Sequence, residues 1–313
     1  MSDRGTYDEL LAGEIQSCTE VHKAFNDSSH PCNKIVNWQK SVIPELKNVK
    51  TLELSVAHRP EAWAGNLHDA KILFLGSNPS FSEDEVFPDY KEGWENEKLR
   101  DFGARRFEGS DDRPFGANEK VDLKLRDRIY LKNGKLNEKT KVTHWNEIRG
   151  NAAAILGKDK ADVTPNKDYV MTELVHCKSR EEIGVPEALS FCTQKFFHNI
   201  LMATSAKLIF VLGVKPATHF RSLFHGIPDT WGMGSGSVGV WPKSNQELIE
   251  MRKSGVWSAA HQLKHTIEMD LGGISRTVVW FPRPGRPAWP RSLSGDNCPI
   301  DAEVMQIWRS KLN

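Results

Sequence analysis

The turn Gly76-Ser77-Asn78-Pro79-Ser80 sets a carboxamide at a tight bend directly after an apolar run. Asn78 can orient a water but is too weak a base to deprotonate it strongly. That suits a late, dissociative reaction. Asn and Pro also favour turns for local reasons, so a purely structural turn stays open beside the chemical reading. Glu173 closes another apolar run; ionised, it can only accept hydrogen bonds. His261 and His265 have the spacing of a zinc pair, but Gln262 stands where a zincin needs its general-base Glu. Zinc hydrolysis of that kind is excluded, and a solvated helix face is expected instead. The glycines at 226, 232, 234, 236 and 239 lack dinucleotide-site spacing, and there is no Gly-x-Ser-x-Gly elbow or Walker loop.

The elements that must position these residues follow from the apolar pattern. Residues 71–75, 169–175, 207–212 and 276–281 are short, nearly continuous apolar runs and predict buried strands. Helical spacing recurs over 145–156, stopped by Gly157, and over 185–200, with Pro186 in its first turn. Helices are also expected in residues 1–50, over 256–271 and over 300–312. Residues 88–143 read as loops and short helices, and 226–240 as a mobile glycine-rich loop. Buried strands alternating with amphipathic helices imply a parallel sheet covered on both faces. The expected fold is a three-layer α/β/α arrangement around a central four-stranded, mainly parallel sheet. Ligands of such sheets sit beyond the carboxyl ends of the strands, here Gly76–Pro88, Glu173–Ser179, Gly213–Pro216 and Phe281–Pro290.

With 313 residues, 42 Lys+Arg against 41 Asp+Glu and 39% hydrophobic residues, the chain can bury a core, and its net charge favours no partner class. No run approaches the ~20 apolar residues of a membrane helix, and the start lacks a signal-peptide core. Five widely spaced cysteines do not resemble a secreted disulfide scaffold. A cytoplasmic monomer without membrane contact is expected.

Four segments, in order, resemble the uracil-DNA glycosylase superfamily. Gly76-Ser77-Asn78-Pro79-Ser80 resembles its first motif, closest to the Gly-Ile-Asn-Pro-Gly form of the mismatch-specific branch. Phe87-Pro88 lies where the family stacks an aromatic on the flipped base, with Phe81 and Tyr90 as substitutes. Thr172-Glu173-Leu174-Val175-His176-Cys177 resembles a motif of the iron–sulfur branch. Phe281-Pro282-Arg283-Pro284-Gly285 occupies the place of the second catalytic motif. The resemblance covers residues 60–300. It implies one glycosylase domain over 1–313, with an N-terminal helical region (1–60), a catalytic core (60–300) and a C-terminal helix (300–313).

The resemblance implies base flipping and hydrolysis of a pyrimidine N-glycosidic bond. Asn78 and Arg283 are then the catalytic candidates. Gly76, Ser77, Pro79, Ser80, Phe87 and Glu173 are the base-binding ones. Lys178, Ser179, Lys215, Arg286, Trp289 and Arg291 are candidates for DNA contact, with Trp289 or Leu293 filling the vacated stack. Two positions depart from the family. Glu173 replaces an Asn that reads the base edge; a carboxylate is repelled by uracil O4 but accepts from a cytosine amine. The alternative is a Glu173 that faces away and pairs with a cation. Arg283 replaces a His that donates to pyrimidine O2, and Arg can donate there or bind a phosphate.

The iron–sulfur branch also implies cluster ligands at Cys177 and Cys192, with Cys32 and, across a longer gap, Cys18 completing a 4Fe–4S set. Buried, reduced, apolar thiols are the alternative, and Cys298 is left over either way. The expected function is excision of a modified or damaged pyrimidine, modified cytosine favoured, in repair or in defence against phage with modified DNA. Uracil excision and a catalytically silent nucleic-acid-binding relative are the alternatives.

Overall fold

The four apolar runs form the parallel centre of a six-stranded sheet in the computed structural model. The structure describes residues 4–43, 58–80, 99, 143–165, 167–229, 231–232, 241–242, 244–281, 293 and 298–312. Three helices come first: α1 (Arg4–Gln16), α2 (Glu20–Asn26) and α3 (Asn33–Val42). Then follow β1 (Trp63–Ala64), β2 (Ile72–Gly76), α4 (Thr143–Leu156) and β3 (Tyr169–Glu173). Helix α5 (Val185–Cys192) continues through a π turn, Thr193–Phe197, into α6 (His198–Ala203). The chain ends with β4 (Leu208–Leu212), α7 (Val214–Leu223), α8 (Asn245–Lys253), α9 (Ala259–Leu263), β5 (Thr266–Leu271), β6 (Ile274–Phe281) and α10 (Ala302–Ser310).

The strand order is β1-β3-β2-β4-β6-β5. Strands β3, β2, β4 and β6 run parallel; β1 and β5 add antiparallel edges. Two expectations are corrected here. The sheet has six strands rather than four. The second half of 256–271 is not helical: α9 stops at Leu263, and β5 forms a hairpin with β6. Gly272 and Gly273, at φ +67° and +72°, make the two-residue turn that this hairpin needs, a conformation side chains resist.

The central strands are buried at nearly every position, so both faces of the sheet are covered. On one face Phe74 stacks on Phe210 at 5.4 Å, and Trp308 of α10 meets Phe210 edge-on at 5.3 Å. Burying side chains of this size contributes roughly 1.5–3 kcal/mol each. Arg276 is fully buried at the start of β6. Its guanidinium donates to the carbonyls of Leu201, Thr204, Ala206 and Leu271. Leu201 and Thr204 lie at the carboxyl end of α6, where carbonyls lack helical partners.

The chain steps from β2 to β3 on one side, then crosses to β4 on the other. The carboxyl ends of β2, β3, β4 and β6 therefore open around a switch point, the place where such sheets bind ligands. Among the described residues, no helix is long and apolar enough to cross a membrane.

Candidate functional site

The pairing of β2 and β3 continues past both strands. Leu174 N–H donates to Gly76 O (3.1 Å), Val175 N–H to Ser77 O (2.9 Å) and Ser179 N–H to Pro79 O (3.2 Å). The turn carrying Asn78 is thus laced to 174–179 along its length. The Asn78 amide nitrogen donates to Ser179 O (3.1 Å), Ser179 Oγ (3.0 Å) and Pro79 O (3.0 Å). With Nδ2 committed inward, the carbonyl Oδ1 is the end of the side chain left to orient a water. Asn78 is half-buried and is followed by buried Pro79 and exposed Ser80.

Gly76 pairs in register with Glu173. A Cβ at position 76 would collide with the Glu173 carboxylate, so the glycine makes room for that carboxylate to lie across the first residue of the turn. Glu173 therefore sits at the site. Ser77 Oγ donates to Glu182 Oε1 (2.6 Å), and the other Glu182 oxygen pairs with Lys215. One carboxylate thus ties the loops after β2, β3 and β4. Glu181 and Glu182 both adopt positive φ, +54° and +59°, a conformation costly for non-glycine residues. Sequence reasoning missed Glu182, because nothing in its composition signals that backbone.

Two residues expected on the DNA are placed elsewhere. Lys178 is 1% exposed, pairs with Glu61 (3.3 Å) and donates to Ser80 O (3.3 Å). Ser179 is 2% exposed and faces Asn78. Their positions in a tight strand-end segment, rather than their polarity, decide their surroundings. Lys215 is exposed and stands at the site's edge, beside half-exposed Val214 and Ile183. Leu293 is buried, with its N–H on Asn151 (3.0 Å), so it is not offered as a wedge. Phe81, Phe87, Tyr90, Arg283, Arg286, Trp289 and Arg291 lie outside the described residues.

His261 and His265 are not on a solvated face. His265 is 2% exposed and packs against Trp241, Trp257 and Trp280. Burial, helped by nearby His261 and Lys264, pushes its imidazole down to about 3. In the glycine-rich segment Gly226, Pro228 and Asp229 are exposed, whereas Trp231 is buried and donates to His265 O (2.8 Å).

Cys18, Cys32, Cys177 and Cys192 are all buried and line one cavity, with His176 and Phe196 beside them. Two come from the turns that open α2 and α3, one from the segment after β3 and one from the end of α5. Gly184 makes this approach possible: a Cβ there would strike the backbone at Ile35. Burial pushes the Cys32 and Cys192 thiols up to about 12 and Cys177 well above its ordinary value, and neighbouring sulfurs raise all three further. The four cannot ionise together unless a cation neutralises them. Among the described residues, no three His, Cys, Asp or Glu side chains are placed to hold a metal ion. Four cysteines lining one cavity offer the donor chemistry that a 4Fe–4S cluster takes. Cys298 stands apart and donates to Ile300 O.

No family model matches the chain, and no curated protein matches it as a relative.

Proposed function

We propose that the protein is a monofunctional DNA glycosylase that flips out a modified pyrimidine, with modified cytosine preferred, and hydrolyses its N-glycosidic bond. The observation that carries this reading is the fixed Asn78 carboxamide at the switch point, with the Glu173 carboxylate lying across the same turn.

In this reading the glycosidic bond stretches first, its electron pair moving onto the base while positive charge grows on the sugar. Asn78 Oδ1 holds a water facing the sugar carbon. The water oxygen bonds to that carbon, its proton passes to solvent, and the departing base takes up a proton. Ser179 keeps the amide from swinging, so the water is positioned before the bond breaks. Glu173 accepts from the exocyclic amine of a cytosine-type base, which a uracil cannot offer. Arg283, like the remaining motif positions, is assigned by the resemblance alone.

Cys18, Cys32, Cys177 and Cys192 would hold a 4Fe–4S cluster. When bound, it joins the N-terminal helices to the catalytic core and can accept an electron.

The test uses DNA carrying uracil, cytosine, hydroxymethylcytosine or glucosylated cytosine, followed by alkaline cleavage of abasic sites. A modified cytosine should be released fastest. Asn78→Ala should lose about 10²-fold or more in single-turnover rate while still binding the DNA. DNA binding with no base released from any substrate would favour a silent DNA-binding protein instead.

A further inference from the structure

One basic side chain beside the cysteine cavity has no part in the proposed chemistry. Lys195 Nζ lies 4.0 Å from Cys18 Sγ and 3.3 Å from Glu20 Oε1. Its placement depends on the π turn Thr193–Phe197, which begins at the residue after Cys192. Thr193 Oγ1 donates back to Leu189 O (2.8 Å) where the helical ladder widens. Widened turns of this kind recur at functional sites.

Glu20 is held as firmly. It accepts from Lys23 (3.0 Å) and Lys195 (3.3 Å), and it meets His30 Nε2 at 3.1 Å. Cys32 N–H donates to His30 Nδ1 (3.1 Å), which leaves Nε2 as the N–H that faces Glu20. Lys195 and Glu20 thus bring a cation and an anion to the edge of the cysteine cavity.

We propose that Lys195 and Glu20 are an opposed pair of charges that sets the electron affinity of the group held by Cys18, Cys32, Cys177 and Cys192. The proposal rests on the cluster assignment. Adding one electron makes the cluster and its thiolates more negative. A cation near Cys18 stabilises that form, and an anion lining the same cavity destabilises it. Net charge and surroundings are what tune such potentials. Lys195 and Glu20 are positioning residues and touch no substrate.

The test is potentiometric titration of anaerobically purified holoprotein with dithionite, read by visible absorbance and electron paramagnetic resonance. Lys195→Met keeps the aliphatic stem and removes the charge. It should shift the ratio of reduced to oxidised protein at fixed potential about tenfold toward oxidised, which is 59 mV for a one-electron couple. Glu20→Gln should shift the midpoint the opposite way, and Lys195→Arg should restore the wild-type value. Merely loosening the site would not move the two charge-removing variants in opposite directions.

If Lys195→Met loses its iron, Glu20→Gln and Lys195→Arg decide. Wild-type midpoints in loaded Lys195→Met and Glu20→Gln, or a shift of the same sign in both, overturn the proposal while the cluster assignment stands. Wild-type protein that is folded but contains neither iron nor sulfide overturns both, and this is seen before any variant is made.

Discussion

In the proposed reading Glu173 sets the substrate class, because an ionised carboxylate offers no hydrogen to a uracil carbonyl. Gly76 leaves the carboxylate room to lie against the first residue of the Asn78 turn, which is what the proposed base-reading role requires. Glu173→Gln restores a donor without changing shape. On oligonucleotides differing only at the target base, it should slow release of cytosine derivatives by roughly 1–3 kcal/mol of discrimination and improve tolerance of uracil. Unchanged single-turnover rates on both bases would remove Glu173 from base recognition. The turn that carries Asn78 and the strand end that carries Glu173 are legible from the apolar runs before them. Ser179 and Lys178 were misread because their polarity suggests surface, whereas the continued β2–β3 pairing turns both inward. Lys195 and Glu182 carried no local signal, since partners far along the chain define them.

At the scale of elements, legibility follows burial. The four central strands are unbroken apolar runs, so their places could be read directly. Strand β1 has only two residues, too few for any pattern. Strand β5, Thr266–Leu271, follows α9 across only Lys264 and His265, with no Gly or Pro between, and its positions are half-buried or exposed up to buried Leu271. The Gly272-Gly273 hairpin turn was the overlooked cue. The same region holds a buried neutral imidazole whose acid response can be measured. An unfolded His takes up a proton near pH 6.5, but folded His265 does so only near 3. Its contribution to stability is therefore complete above about pH 6.5 and is lost as pH falls toward 3. His265→Phe keeps an aromatic against the tryptophans. In urea unfolding between pH 6 and pH 4, the variant's stability should fall less steeply, by about one proton's worth, or ~1.4 kcal/mol per pH unit. Parallel pH profiles for the two proteins would show that His265 is not the group responsible.

At the scale of the whole molecule, the cysteine cavity joins two regions that the sequence separates. Cys18 and Cys32 belong to the N-terminal helices, and Cys177 and Cys192 to the sheet-bearing core. The helices also dock through Gln39, which donates to Lys178 O at 2.8 Å, and through the Glu20–Lys195 ion pair. In the cluster reading, a metal-held joint adds to these contacts. Stripping the metal from anaerobic protein should then raise amide hydrogen exchange across residues 4–43 at least tenfold, about 1.4 kcal/mol of local opening, while the central strands exchange as before. Equal protection with and without metal would mean that the polar contacts suffice. The convergence of four cysteines was visible in the sequence only through family resemblance, because spacing along a chain does not report folding back.

That folding back sets an order of events during synthesis. Cys18 and Cys32 leave the ribosome long before Cys177 and Cys192 exist. Helices α1 to α3 are short, and helices of such length are marginal in water without a surface to pack on. Their partners, the segment after β3 and helix α5, emerge only once β2 and β3 have been made. The beginning of the chain is therefore the part that must wait, exposed to chaperones and to oxidation of its thiols, until the middle of the protein arrives to receive it.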